Sequence, residues 1–391
     1  VIDPIARSRS VFIVLIEGQT IWDLSRVADR PRTRLEFPDL IRFQDHWYCG
    51  FREGLIHNNH PSGRGRIIRS ADGGHWDTVA LFTWNSGDVR EPKFAITAEG
   101  LLMINTAVYF VSQEASDEAR TVSGESTYTP PDARAPIDRP GRFEQLDERA
   151  AQLKLTRTDL EMGVNRQSVT WLSRDGVTWS GAYACPSGVN TWLWAATWHR
   201  GMGYCMAQHG PHAPGTLFRT RDGKSWRALS TLVFPDGHGG ETSLAFDASH
   251  DLVALLRGNN RTKLFVGRSQ APYYQRWTWT IPQVDWNGDG KLTPASELFG
   301  VGVGGPKLIR LSDGRFVAAG RVLGPGCDDG RVTLFWLDPA TSILTRFAQC
   351  DGTSYPGLFE HQGQLWITFV SSTCHQDNWR VQLARLPIPP R

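Results

Sequence analysis

Four arginines, a glutamate and a tyrosine fall at matching places in a repeated segment of this chain. Arg90, Glu241 and Tyr355 each stand where a strand is expected to begin, and Arg52, Arg257 and Arg321 stand near the end of a strand that follows. In an antiparallel hairpin those two places lie at the same end. Side chains far apart in sequence are thereby brought to one rim. A single arginine at a strand end is an ordinary solvated charge. Arginines converging on one mouth with few carboxylates beside them make a site for an anion, because guanidinium forks suit a carboxylate, phosphate or sulfate.

The segment that sets this register is a hairpin phrase. Its clearest copies are Pro38-Asp39-Leu40, Pro92-Lys93-Phe94, Pro306-Lys307-Leu308 and Pro356-Gly357-Leu358. Each opens an apolar strand, and after a polar turn a second apolar strand follows: Trp47-Tyr48-Cys49, Leu101-Leu102-Met103, Phe316-Val317-Ala318 and Leu365-Trp366-Ile367. Two copies without proline keep the rhythm, Leu193-Trp194 to Tyr204 and Leu244-Ala245-Phe246 to Leu252-Val253. Copies recurring at about 50 residues are the mark of a radial repeat. The expected fold is all-β, a six-bladed β-propeller of four-stranded antiparallel blades in one domain over residues 1–391. The first blade is expected at 36–84, and a strand from Val11 to Ile16 should join the last repeat, 356–388, and close the ring, removing exposed sheet edges.

A second phrase, Ser/Thr-x-Asp-Gly-x-x-Trp, appears at Ser70–Trp76, Ser173–Trp179 and Thr220–Trp226. The hydroxyl and the aspartate can accept turn amides, the glycine takes a positive φ, and the tryptophan packs beneath. These turns are scaffold.

Composition narrows the partners. With 42 basic and 40 acidic residues in 391 the formal charge is +2, which gives no reason to expect nucleic acid or an anionic membrane. Apolar runs are strand-sized, so no membrane span is expected. Gly 39, Pro 23 and Trp 16 suit many tight turns and aromatic-rich strands. The six cysteines, at 49, 185, 205, 327, 350 and 374, show no metal-binding spacing, and both disulfides and buried thiols stay open. The chain shows no signal peptide, as in a mature or trimmed form, and a secreted or periplasmic location is expected.

Two segments interrupt the repeat. Residues 112–160 are polar and proline-containing without strand alternation, and read as a long insertion, a lid or binding loop over one face. Residues 284–300 carry Asp285, Asn287, Asp289 and Lys291 at the alternate positions of a calcium loop, with Gly290 to turn the chain. The usual final carboxylate is displaced, since Ser296 holds its place and Glu297 follows. The expectation is a structural Ca2+, with no cofactor needed for catalysis.

The turn phrase, the Arg90-Glu91-Pro92 segment and the order Arg90, Glu241, Arg257, Arg321, Tyr355 together resemble the sialidase (neuraminidase) superfamily of Asp-box propellers, over about residues 36–390. The resemblance implies an exo-acting glycoside hydrolase whose substrate is an acidic glycan. Arg90, Arg257 and Arg321 would hold the carboxylate of a sialic acid or related ulosonic acid. Tyr355 would attack the anomeric carbon, and Glu241 would take its proton, since a free phenol near pKa 10 is a poor nucleophile.

The chain departs from the family pattern at the acid/base aspartate, which the resemblance places on the loop after the strand that follows the first arginine. That stretch is the 112–160 insertion, offering Glu114, Asp117, Asp132 and Asp138, with Asp117 the aspartate nearest the preceding strand. Arg52-Glu53, with His57 and His60 on the next loop, has no counterpart in the arginine triad, and a histidine there could replace the acid. That cluster argues against plain sialic acid as the substrate. Two other functions stay open: a non-catalytic propeller that binds acidic glycans, and a polysaccharide lyase acting on a uronate.

Overall fold

The hairpin phrases fold as strand pairs in a computed structural model that describes residues 13–26, 33–55, 57, 60–84, 87–110, 166–208, 215–234, 240–258, 264–299, 302–323, 330–371 and 379–389. Arg34–Phe43 pairs with His46–Gly54, Thr242–Phe246 with Leu252–Arg257, Val303–Arg310 with Phe316–Val322, and Gly357–His361 with Gln364–Ser371, all antiparallel. Three of the connecting turns are two residues long with both φ values positive: Gln44-Asp45, Arg200-Gly201 and Gln362-Gly363. That geometry matches the strand twist that tight hairpins require.

In the two remaining hairpins the first strand is broken. Gly87–Val89 and Lys93–Ile96 both pair with Leu102–Phe110, and Trp192–Leu193 and Thr197–His199 both pair with Met202–Gln208. Pro92 has no N–H to give a ladder. The interruptions fall at Arg90-Glu91-Pro92 and Trp194-Ala195-Ala196, where the buried Glu91 and Trp194 side chains meet each other.

The described strands form six sheets. Their inner strands meet in a circuit: Arg34–Phe43 touches Lys93–Ile96, Leu102–Phe110 touches Trp192–Leu193, and Met202–Gln208 touches Thr242–Phe246. Thr242–Phe246 touches Val303–Arg310, which touches Gly357–His361, which returns to Arg34–Phe43. Side-chain hydrogen bonds stitch the junctions. Asp39 Oδ2 accepts the Phe94 N–H at 2.9 Å, Thr197 Oγ1 donates to the Leu244 carbonyl at 2.7 Å, and Ser243 Oγ accepts the Leu308 N–H at 2.9 Å. Ser354 Oγ accepts the Phe37 N–H at 3.0 Å. The core lies between sheets, where inward residues of neighbouring strands interleave, as with Trp47 stacked on Trp366 at 3.9 Å. This is an all-β propeller.

The closing strand differs from expectation. Gln19–Asp23 pairs with Arg380–Pro387, whereas Val14–Ile16 runs parallel beside Ala348–Cys350 in the neighbouring sheet. Hydropathy favoured the wrong segment because it counts apolar residues, not buried ones. Val14 and Leu15 are 42% and 71% exposed, while Ile21 and Trp22 are 2% and 5% exposed and pack into the core.

The Ser/Thr-x-Asp-Gly-x-x-Trp turns share one hydrogen-bond pattern. Ser70, Ser173 and Thr220 hydroxyls accept the glycine N–H at 2.8, 2.8 and 3.0 Å. Asp72, Asp175 and Asp222 each accept the next two amides, and Trp76 and Trp226 Nε1 donate back to the glycine carbonyls at 3.1 Å. At Asp72 the amide of Gly74 contributes most to lowering the carboxyl to about 2. The expected 112–160 insertion, with Asp117, lies outside the described residues. The described part of 284–300 holds the rest of strand Gln283–Asp285, strand Leu292–Pro294 and a helical turn Ala295–Leu298, with Gln283–Asp285 added beside Ile343–Cys350 at the edge of the sheet that contains Val303–Arg310. Cys49, Cys185, Cys205 and Cys350 are buried free thiols, and burial pushes the Cys185 thiol up to about 11. Cys327 and Cys374 lie outside the described residues.

Candidate active site

Tyr355, Glu241 and Arg257 form one hydrogen-bonded unit. Tyr355 Oη donates to Glu241 Oε1 at 2.6 Å, and Arg257 Nη1 donates to Oη at 2.8 Å and to both Glu241 oxygens at 3.0 Å. Glu241 Oε2 also accepts the Gly305 N–H at 2.7 Å. Burial works to raise the Glu241 carboxyl, but the charge of Arg257 and the donors around it outweigh burial and lower it. Burial and the Glu241 charge push the Tyr355 phenol well above its ordinary range. The resting state is a neutral phenol aimed at an ionised base.

A bulge in Val303–Arg310, between Gly304 and Lys307, makes room for the ring. Gly305 has φ 57°, and a Cβ there would lie 1.9 Å from Tyr355 Cγ. Gly305→Ala is therefore expected to cost about 2–4 kcal/mol, from left-handed backbone strain plus overpacking. It should also displace the tyrosine from Glu241. Urea unfolding reads the first effect; an unchanged midpoint would mean the turn relaxes freely.

Arg321 lies 5.5 Å from the Tyr355 ring centre, partly exposed and without a carboxylate partner among the described residues. Arg90 reaches the same place through Phe37: its guanidinium is 5.1 Å from the Phe37 ring, which is 4.8 Å from that of Tyr355. The structure thus brings together Arg90, Arg257, Arg321, Glu241 and Tyr355. Few carboxylates were expected nearby, and here the structure differs. Arg257 pairs with Glu241, and Arg90 lies 3.3 Å from Asp88.

Arg52 and Glu53 do not face a ligand. The Arg52 side chain is fully buried, with Nε and Nη2 on Asp88 at 2.8 and 3.0 Å and Nη1 on Glu36 at 2.8 Å. Glu53, one residue on, points to the other face of the strand, where it meets Arg66 at 2.8 and 3.0 Å and Arg64 at 2.7 Å. Repeat register placed Arg52 correctly along the strand. It could not foresee that Glu36 and Asp88 would surround the guanidinium. His57 stays at the rim, its side chain 46% exposed, with Nδ1 2.6 Å from Glu36 Oε1.

Beneath these residues lies a second buried polar group that sequence reasoning missed. Glu91 Oε2 accepts Trp194 Nε1 at 2.8 Å and lies 3.8 Å from Lys93 Nζ, and Lys307 Nζ lies 2.5 Å from Asp39. Burial above all raises the Glu91 carboxyl, to about 7, and lowers the Lys93 ammonium. The signal was present: Asp39, Lys93 and Lys307 each follow the proline of a hairpin phrase, so one repeat position faces the axis.

At the expected calcium loop, Asp285 accepts the Asp289 and Gly290 N–H groups at 3.1 Å each. Among the described residues no three His, Cys, Asp or Glu side chains gather as a metal site, and no helix is long and apolar enough to cross a membrane.

Neither a protein-family model nor a curated protein matches the chain in sequence. Solved structures share its fold. A protein of unknown function from Dyadobacter fermentans superposes with TM-score 0.64 at 13% identity, over 95% of this chain and 98% of that one. The NanB sialidase of Streptococcus pneumoniae gives 0.60 at 11% identity, over 95% and 70%. The α-L-arabinanase of Penicillium chrysogenum, solved with arabinobiose, gives 0.53 at 13%, over 91% and 94%. The chain has the sialidase-like β-propeller fold.

Proposed function

We propose that the protein is an exo-acting glycoside hydrolase of sialidase type. It cleaves a terminal carboxylate-bearing sugar, a sialic acid or related ulosonic acid, at the mouth of a six-bladed propeller with Asp-box turns. One observation carries this reading: Tyr355 Oη donates 2.6 Å to Glu241 Oε1 while Arg257 Nη1 donates to the same Oη at 2.8 Å. A phenol held between a base and a cation is an activated nucleophile. Proton loss to Glu241 leaves a phenolate that Arg257 stabilises as Oη attacks the anomeric carbon. A phenol that stays neutral until it attacks approaches a carboxylate-bearing carbon with less repulsion than a permanently ionised carboxylate nucleophile would. Arg321, and the N–H groups of Arg90 and Arg257 not already engaged, would hold that carboxylate.

The test is release of methylumbelliferone from its glycosides of N-acetylneuraminic acid and of the deaminated analogue. Release is the expected result, and none from a folded protein across a panel of acidic glycosides would remove the proposal. A second reading draws on Arg90 and Arg257 each having a carboxylate neighbour, and on Glu91 being raised to about 7 while Glu241 is lowered. Two carboxyls driven apart in this way suit a hydrolase of a neutral sugar, so arabinofuranosides belong in the same panel. New ultraviolet absorbance from a polyuronate would instead reveal a lyase.

A structural Ca2+ on Asp285, Asn287, Asp289 and the carbonyl of Lys291 is a separate proposal, resting on their spacing. It predicts a higher Tm in calcium than in chelator, and an equal Tm removes it.

A further inference from the structure

The inner strand Arg34–Phe43 is bent at the mouth. Its ladder slips between Glu36 and Asp39, and Phe37 sits there with φ 58°. A bulky residue in the left-handed region costs about 1–3 kcal/mol and persists only where its surroundings impose it, most often at functional sites. Here the bend places Glu36 against His57. Glu36 Oε1 meets His57 Nδ1 at 2.6 Å, and Arg52 Nη1 holds Oε2 at 2.8 Å. The carboxylate is buried at 4% exposure, whereas the imidazole stands in the open rim.

The imidazole is fixed as well as paired. Arg90 Nη1 donates to the His57 carbonyl at 2.7 Å, and the His57 ring centre lies 5.6 Å from that of Phe37. Phe37 in turn lies 4.8 Å from the Tyr355 ring. One strained aromatic residue therefore spaces the histidine from the nucleophile. Among the described residues Nε2 meets no partner. With Nδ1–H committed to Glu36, Nε2 is the nitrogen left to exchange a proton with a ligand.

We propose that His57 is the catalytic acid and base of this site, with Glu36 as its positioning residue, in the place expected of Asp117. The proposal rests on the hydrolase reading above. In the first step the anomeric carbon–oxygen bond breaks as the bond to Tyr355 Oη forms. The bonding pair passes to the departing oxygen, which takes the Nε2 proton of the imidazolium, and the phenolic proton goes to Glu241. In the second step neutral His57 takes a proton from water, whose oxygen attacks the anomeric carbon. Tyr355 Oη leaves and regains its proton from Glu241. Burial works to raise Glu36, but its hydrogen bond to His57 and the charge of Arg52 prevail and bring it to about 2, so it remains the anion an imidazolium needs.

A general acid matters most when the leaving group is a poor one. His57→Gln should lower kcat/KM on the methyl glycoside of the acidic sugar by about 10²–10⁴-fold, the usual contribution of such a group. On the nitrophenyl glycoside, whose leaving group needs no proton, it should lose far less. Glu36→Gln should show the same selectivity, weaker, and a merely structural role would lower both substrates alike. Equal losses on the two substrates in a folded His57→Gln protein would overturn the proposal, as would selective loss in Asp117→Asn but not in His57→Gln. If the wild-type protein cleaves neither glycoside, the hydrolase reading falls and the dyad with it; equal losses remove the dyad alone.

Discussion

Tyr355→Phe is expected to lower kcat/KM by at least about 10³-fold, within the range seen when a nucleophile is removed. The protein should remain folded. The substitution deletes one oxygen, the donor to Glu241 at 2.6 Å and acceptor from Arg257 at 2.8 Å, and keeps the ring packed on Phe37. Glu241 still has Arg257 and the Gly305 N–H, so no carboxylate is left bare. The lost hydrogen bonds are worth about 1–3 kcal/mol of stability. Because Arg257 and Arg321 are untouched, calorimetry should show the free acidic sugar binding within a few-fold of wild type. Binding retained with turnover lost is the signature of a nucleophile. Turnover retained in Tyr355→Phe would rule out the phenol. A wild-type protein that binds acidic glycans yet forms no product, in any variant, would be a binding propeller.

The site was legible in sequence wherever repeat register decides position. Tyr355 and Glu241 are 114 residues apart and hydrogen-bonded, and Tyr355 and Arg257 are 98 apart and hydrogen-bonded. Equivalent strand ends on different sheets must meet at one rim, so spacing alone was enough. Register does not report what surrounds a side chain. Arg52 stands at the same repeat position as Arg257, but Glu36 and Asp88 neutralise it, and Glu36 comes from a strand whose bulge leaves no mark in the residue pattern. Glu91 was hidden by its own motif: it sits in the phrase that identified Arg90, and only the break at Pro92 turns it toward Trp194. The closing strand failed for a different reason, since apolar content and burial diverge at Val14 and Leu15.

Arg52→Met should be the most damaging single change to stability, costing about 3–5 kcal/mol, the usual price of breaking a buried ion pair from one side. Its guanidinium is fully enclosed and shared between two carboxylates, and Asp88 is itself wholly buried. Methionine fills the stem but takes the shared guanidinium away, leaving Glu36 with His57 and Asp88 with the longer 3.3 Å contact to Arg90. The loss should depend on pH in a defined direction. Glu36 is depressed from 4.5 to about 2, so its contribution is present above the unfolded value and disappears as pH falls through the folded one. In the variant Glu36 keeps His57 but lacks Arg52, so its carboxyl is less depressed and it has less stability to lose in acid. Urea midpoints of the two proteins should therefore differ most at neutral pH and converge as pH falls below about 4.5. A gap that stays constant across that range would mean that Arg52 stabilises the rim by packing and not by holding Glu36 ionised.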